Sequence, residues 1–165
     1  MADRLTAELM TALDSARRRA LRDGDRQIDT AHLLHSLVEA DPEAAAVLGG
    51  GERFARVLGY LVQRSIGYGL RWQRSVEDTG VALPVLRGAD TGAAGWSPAA
   101  AAALAAAFER AAHRGEHRGD HRVRGLDLLA ALAADPDNRA AEVLRRAGLE
   151  PGALAARIEH PSQQV

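Results

Sequence analysis

Three histidines at regular spacing are the residues of this chain best suited to metal chemistry. His113, His117 and His121 recur at every fourth position, interleaved with Glu116 and Asp120. On a continuous helix the three imidazoles would lie on one face, and imidazole pairs one turn apart can bind zinc or nickel. The spacing therefore predicts a metal site, provided that a helix carries it.

The residues between these histidines favour the opposite interpretation, a solvated loop rich in arginine and histidine. Gly115 and Gly119 each cost a helix about 1 kcal/mol relative to alanine. Arg114, Arg118 and Arg122 would also repel a cation. We therefore expect no metal and no cofactor, and we keep a His-cluster metal-binding protein as the alternative function.

Several kinds of chemistry are excluded by residue types that the chain lacks, and an enzyme of unrecognised type is the least favoured interpretation. It contains no cysteine, which removes disulfides, thiolate zinc sites and cysteine nucleophiles. All 21 basic residues are arginine, so no lysine is present for a phosphate-binding loop or a Schiff base. His32 has no nucleophile at a recognisable spacing and is better explained as a packed, hydrogen-bonded residue. We expect a protein that is not an enzyme.

The charge balance argues against nucleic acids and membranes as partners. The net charge is -1, and the basic cluster Arg17-Arg18-Arg19 with Arg22 has acidic neighbours and no interleaved aromatic residues. No apolar run reaches the length of a membrane span, and the first residues lack the apolar core of a signal peptide. Together with the missing cysteine, these features predict a cytoplasmic protein.

The elements that must position these residues occur twice in the chain. Equivalent residues recur in the same order, and an internal repeat of this kind indicates one supersecondary unit stacked on its copy. The matching positions are Leu5-Thr6 and Trp96-Ser97, Ala16 and Ala111, Ile28 and Val123, Leu33-Leu34 and Leu128-Leu129, Asp41-Pro42 and Asp135-Pro136, and Val47-Leu48 and Val143-Leu144.

Capping residues predict four helices in each copy. Thr6 suits the N-cap of a helix that ends near Arg22 before Gly24, and Ser97 with Pro98 suits the equivalent start in copy two. Asp29-Thr30 begins the second helix of copy one, Asp41-Pro42 begins the third, and the fourth follows the glycines at 49–51. In copy two the predicted helices are 99–112, 125–134, 136–147 and 151–159, with a longer first connection around His113 to Arg122.

These elements predict an all-α fold of two four-helix repeats related by a pseudo-two-fold axis. The whole chain, residues 1–165, forms a single domain in this interpretation. Repeat one spans 1–64, a glycine-rich linker spans 65–95, repeat two spans 96–160, and a short tail covers 161–165.

The two copies resemble the tandem repeats of the Clp N-terminal domain, the substrate- and adaptor-binding domain at the front of ClpC- and ClpB-type AAA+ unfoldases. The family's Thr-Glu-His-Leu-Leu is matched by Thr30-Ala31-His32-Leu33-Leu34 and by Gly125-Leu126-Asp127-Leu128-Leu129. The family's Gly-Val-Ala-Ala-x-Val-Leu-x-x-Leu-Gly resembles residues 138–148. Only 65–95 lies outside the resemblance, which suggests a stand-alone, diverged protein of actinobacterial type without the AAA+ modules.

The resemblance implies a chaperone-related, non-catalytic module that binds peptides or proteins and regulates proteolysis. Its partners would be a substrate peptide, an adaptor, Clp unfoldase or protease components, or a cyclic-peptide antibiotic that the protein sequesters. ClpC-type domains bind phosphoarginine through the glutamate of each Thr-Glu-His motif. Ala31 and Leu126 stand at those positions and cannot accept a charge-assisted hydrogen bond, so we expect phosphoarginine binding to be weak or absent.

The resemblance also places a ligand-binding groove at the repeat junction, where the first helix of each copy begins. The residues expected there are Ala2, Leu5, Met10 and Trp96, with Tyr68 and Trp72 of the linker folding over them. Trp96 has two interpretations that the sequence leaves open. Its ring either anchors a ligand or staples the start of its helix.

Overall fold

The computed structural model describes residues 4–65 and 95–161, and in these ranges the protein is all-α with one minimal parallel bridge. Eight helices are described there, four before residue 66 and four after residue 94. The elements are α1 (Ala7–Asp23), β1 (Gln27–Ile28), α2 (Thr30–Ala40), α3 (Pro42–Val47), α4 (Gly51–Ser65), β2 (Gly95–Trp96), α5 (Pro98–Arg118), α6 (Gly125–Ala134), α7 (Arg139–Arg146) and α8 (Pro151–Glu159).

Side-chain caps begin the helices where the sequence predicts them. Thr6 Oγ1 accepts the N–H of Leu9 at 3.4 Å, and Ser97 Oγ accepts the N–H of Ala100 at 3.0 Å. Asp41 caps α3 by accepting the N–H of Glu43 at 2.9 Å. Each of these bonds satisfies a main-chain donor that the first helical turn leaves without a partner. The prediction of an all-α fold is confirmed.

The predicted loop at His113 to Arg122 is wrong over its first half. Helix α5 continues through Gly115 to Arg118 and ends at Gly119, whose φ of 77° is the left-handed conformation that glycine adopts without strain. Helix α1 has 17 residues and α5 has 21, while Gly24 to Ile28 and Gly119 to Val123 are connections of equal length. The additional residues of copy two therefore extend the helix by about one turn.

Helix α7 begins later than predicted. Pro136 lies in a turn, and the helix starts at Arg139 with Asn138 as its N-cap. The side chain of Asn138 accepts the N–H of Ala141 at 2.7 Å and donates to the carbonyl of Leu132 at 2.9 Å. Asn138 thus caps α7 and also bonds it to the end of α6. For this reason the helix begins after Asn138 and not at the upstream Asp135-Pro136 pair.

The two repeats exchange main-chain hydrogen bonds in a reciprocal pattern. Ile28 pairs with Trp96 in the parallel bridge of β1 and β2, and Leu5 forms an isolated parallel bridge with Val123. The N–H of Ser97 donates to Ile28 at 3.0 Å, and the N–H of Thr6 donates to Val123 at 3.0 Å. The start of each first helix is thus bonded to the residues before the second helix of the other repeat, as a pseudo-two-fold relation requires.

The second helix of each repeat forms the centre of the core. Nine consecutive residues of α2, from Thr30 to Val38, are buried, and in α6 only Leu126 and Ala134 are not. Helix α1 packs on α2 and α5 packs on α6, while α2 also contacts α6 and α7 of the other repeat. In the described ranges no helix is both long enough and apolar enough to cross a bilayer.

Candidate binding site at the repeat junction

The repeat junction places two of the predicted groove residues in equivalent environments. Leu5 and Trp96 are both partly buried, and both pack against the hydrophobic core. Leu5 lies beside Val123 and Trp96 lies beside Ile28, so the two side chains stand at separate bridges. The junction therefore presents two related surfaces. Each surface combines one bridge residue from the first repeat with one from the second.

A groove with a volume of about 340 Å³ adjoins the Leu5–Val123 bridge. Its lining residues are Arg4, Phe108, Ala112, Gly119, Asp120, His121 and Arg122. The guanidinium carbon of Arg4 lies 5.4 Å from the centre of the Phe108 ring, within the range of a cation–π contact. The main-chain N–H of Arg122 donates to Asp120 at 3.1 Å and lowers the pKa of that carboxyl. The groove thus combines an aromatic floor with charged groups at its rim.

The remaining predicted groove residues are less informative. Met10 is exposed on α1, with 38% of its surface accessible. Ala2, Tyr68 and Trp72 lie outside the described residues, so the expected covering of the groove by the linker stays a prediction. Arg4, Phe108 and Arg122 were not placed in this groove by the sequence analysis. The missing signal is the pairing of the two chain segments at 4–5 and 122–123, which no local pattern encodes.

A larger groove of about 690 Å³ lies between the C-terminal half of α5, the start of α6 and the end of α8. Two ion pairs cross it, from Arg110 to Glu159 and from Arg114 to Asp127. His113, His117 and His160 also line it, together with Glu109, Arg118, Arg124, Ile158 and Pro161. Two of its lining residues, His117 and Arg118, belong to the additional turn of α5.

Two of the predicted metal residues meet on the exposed face of α5, and the third does not join them. The ring centres of His113 and His117 are 5.1 Å apart in an edge-to-face arrangement. His121 follows the end of the helix at Gly119, and its ring lies against buried Gly115. Glu116 instead shares the face of the first two histidines, with a carboxylate oxygen 3.8 Å from His113 Nδ1.

The positions of the family's glutamates differ in burial. Ala31 is buried in the core of α2, with 1% of its surface accessible. Leu126 is partly buried and packs against the same core. Because both side chains are apolar, neither site offers the oxygen that a guanidinium group needs.

His32 belongs to a buried polar network. Its Nδ1 accepts the main-chain N–H of Asp29 at 3.0 Å, and its Nε2 lies 2.7 Å from Asp25. Asp29 in turn accepts from Arg64 and, at 2.8 Å, from Arg139 of the other repeat. Burial alone raises the pKa of Asp29, but His32 and Arg64 outweigh it and hold that pKa below its ordinary value. These contacts stabilise the start of α2.

Two solved structures have a similar architecture over nearly the full chain. The N-terminal domain of the caseinolytic-protease-associated chaperone ClpD from Arabidopsis thaliana matches with a TM-score of 0.62 and 19% identity, covering 97% of this chain and 95% of that domain. The fold is that of a Clp N-terminal domain. A chain from a structural study of a malarial protein secretion system matches with a TM-score of 0.65 and 17% identity, covering 98% of this chain and 97% of that one. No protein-family model and no curated protein sequence matches the chain.

Proposed function

We propose that the chain is a non-catalytic module that binds a peptide or a protein. The observation that carries this proposal is the likeness to a chaperone's N-terminal domain, which extends over both repeats and includes 97% of this chain. Peptide segments, an adaptor, a Clp unfoldase or a cyclic peptide are the partners in this proposal. Among the described residues, charged and histidine side chains form helix caps, ion pairs and surface clusters. Such roles suit a binding protein better than an enzyme.

The repeat junction is the proposed binding surface. The groove beside the Leu5–Val123 bridge offers Phe108 as an apolar contact and Arg4 and Asp120 as polar ones. At the other bridge Trp96 supplies a large, partly buried ring. Aromatic and arginine side chains of this kind carry a large share of binding energy in protein interfaces, which supports a peptide or protein ligand.

The two interpretations of Trp96 separate when the residue is changed to alanine. If Trp96 anchors a ligand, Trp96→Ala lowers ligand affinity by ~2 kcal/mol or more with little change in melting temperature. If the ring only staples the start of α5 against β1, the melting temperature falls and affinity is nearly unchanged. Binding is measured by fluorescence anisotropy with labelled peptides from an array, and with the purified Clp unfoldase of the source organism.

Val62→Ala is the matched control, because Val62 is an exposed apolar residue on α4 with 46% of its surface accessible. It removes apolar surface without touching either bridge. Absence of binding by the unmodified protein to both probes contradicts the proposed function. Equal affinity losses in both variants leave the function intact but contradict the proposed site.

Phosphoarginine is not among the proposed ligands, because both family positions carry apolar residues. Free phosphoarginine should bind weakly or not at all, measured by calorimetry, because Ala31 and Leu126 lack an acceptor. The partly buried position of Leu126 makes Leu126→Glu the better attempt at restoring the family site. Ala31→Glu would place a carboxylate in the core, where an unpaired charge is strongly destabilising. Tight binding by the unmodified protein would contradict this prediction.

A further inference from the structure

We propose that the extended end of α5 is a binding site for a late first-row divalent metal ion, with His113, Glu116 and His117 as ligands. This inference goes beyond the binding of a peptide or protein partner and does not depend on it. The residues occupy positions i, i+3 and i+4 of one helix, and such positions lie on the same face. Two imidazoles with one carboxylate suit Cu²⁺, Ni²⁺ or Zn²⁺ better than Mg²⁺ or Ca²⁺, which prefer oxygen ligands.

The ligand atoms are already close enough to share one ion. One donor atom from each of the three side chains lies within 4.8 Å of the other two. Metal–nitrogen bonds of about 2.0–2.1 Å place neighbouring ligands roughly 3–4 Å apart, so small side-chain rotations complete the site. The His113 and Glu116 side chains are 77% and 70% accessible, so the ion can enter without a change in the fold.

The three ligands lie on a continuous helix, although the segment contains two glycines. Gly115 lies inside α5, and Gly119 ends the helix after Arg118, beyond all three ligands. The main-chain N–H of Gly119 donates to Gly115 at 2.8 Å, which closes the last turn. The ring of His121 lies against Gly115. His121 therefore contacts the helix at Gly115 and is not one of the three proposed ligands.

The neighbouring arginines repel a cation less than their number suggests, because the structure pairs two of them elsewhere. Arg114 donates to Asp127 and to the carbonyl of Arg122. Arg122 donates to Asp120. Both guanidinium groups thus have a nearby carboxylate.

Isothermal titration calorimetry with the intact protein tests the site directly. ZnCl₂, NiCl₂ and CuCl₂ should each bind at one equivalent per chain, while MgCl₂ and CaCl₂ should give no heat. His117→Gln should weaken binding by at least about tenfold, the lower end of what the loss of even an outer-shell partner costs. The double variant His113→Gln/His117→Gln should abolish it, and Glu116→Gln should weaken it by a smaller factor.

His160→Gln is the matched control, since His160 borders the same groove from the other side and is not one of the proposed ligands. It should leave the affinity unchanged, and circular dichroism should show equal helix content in all variants. No heat with any of the three transition metals at micromolar concentration overturns the proposal. Equal binding by the double variant also overturns it, because the metal would then be held elsewhere.

Discussion

Asp29 is a buried residue that joins the two repeats through an ion pair. One of its carboxylate oxygens caps α2 by accepting the N–H of His32 at 2.9 Å. The other accepts from Arg64 of α4 and from Arg139 of α7. All three side chains of this ion group are buried. A buried carboxylate between two guanidinium groups is a strong constraint, because removing one partner leaves uncompensated charge in the core.

Asp29→Asn should therefore destabilise the protein by about 3–5 kcal/mol, the typical cost of breaking a buried ion pair. Asparagine caps helices nearly as well as aspartate, so the loss reports the charge and not the cap. Chemical denaturation with urea measures it. The control is Glu52→Gln, which breaks the exposed pair with Arg56 and should change stability by no more than about 1 kcal/mol. Similar losses in both variants would contradict a special role for Asp29.

His35 should make the protein sensitive to acid. Its ring is buried beside Arg19, and burial together with that positive charge lowers the pKa of His35 to about 4. The unfolded chain takes up this proton near the ordinary value of 6.5, so the unfolded state binds more protons between these two values. Stability should fall by roughly 3 kcal/mol as the pH drops from 6.5 towards 4, because each pKa unit corresponds to about 1.4 kcal/mol.

His35→Gln should remove this part of the pH dependence, since glutamine keeps a donor for Glu39 and does not titrate. His32 acts in the opposite sense. Burial alone lowers its pKa, but Asp25 and Asp29 outweigh it and raise that pKa, so its contribution is lost as the pH rises. Urea denaturation at a series of pH values separates the two windows. An unchanged acid slope in His35→Gln would show that another group is responsible.

At the scale of the element, most helix starts were predictable from the sequence, while the start of α7 and the end of α5 were not. Four predicted N-caps act as such in the structure: Thr6, Asp29, Asp41 and Ser97. A short side chain with an oxygen acceptor, placed just before a helical segment, typically accepts a hydrogen bond from a main-chain N–H of the first turn. The end of α5 was missed because Gly115 is unfavourable in isolation. In the fold it is buried, and the ring of His121 occupies the space that a side chain would need.

A glycine at the start of α6 is required by the close approach of the repeats. A Cβ atom on Gly125 would lie 2.0 Å from Oδ2 of Asp41 and 3.0 Å from Leu37. Asp41 cannot move freely, because it is buried and caps α3. Gly125→Ala should therefore destabilise the protein by about 1–3 kcal/mol, the usual cost of overpacking a core.

Gly59→Ala should change stability in the opposite direction and serves as the comparison. Gly59 lies within α4, and a Cβ atom there meets nothing within 4 Å. Alanine should stabilise the helix by about 0.5–1 kcal/mol relative to glycine. Thermal denaturation of both variants measures the contrast. Equal changes in melting temperature would show that the contact of Gly125 with Asp41 is not tight.

At the scale of the whole molecule, the sequence predicted the two repeats but not the way in which they join. The recurrence of Leu-Leu pairs and caps was sufficient for the helices and their order. The bond between Asp29 and Arg139 spans 110 positions, and the bridges of Leu5 to Val123 and Ile28 to Trp96 are similarly non-local. No periodicity in the sequence reports contacts between such distant segments, so the groove at the junction was only partly foreseen.

The reciprocal bridges predict that neither repeat folds alone. Fragments 4–65 and 95–161 each lose their bridge partners and expose the second helix that forms the centre of the core. Mixed in equal amounts, the two fragments should associate and unfold in one cooperative transition, measured by circular dichroism and analytical ultracentrifugation. Each fragment alone should show little cooperativity. A cooperative transition in either isolated fragment would contradict this view.

The extra turn of α5 also limits how many ligands one chain can hold. Four residues advance a helix by about 6 Å and rotate its end by about 40° beyond one full turn. The groove beside the Leu5–Val123 bridge is built from that displaced end, through Gly119, Asp120 and Arg122. Helix α1 is four residues shorter and does not carry this turn towards the Ile28–Trp96 bridge. A chain with two-fold pseudosymmetry is therefore expected to be monovalent for a ligand that occupies this groove.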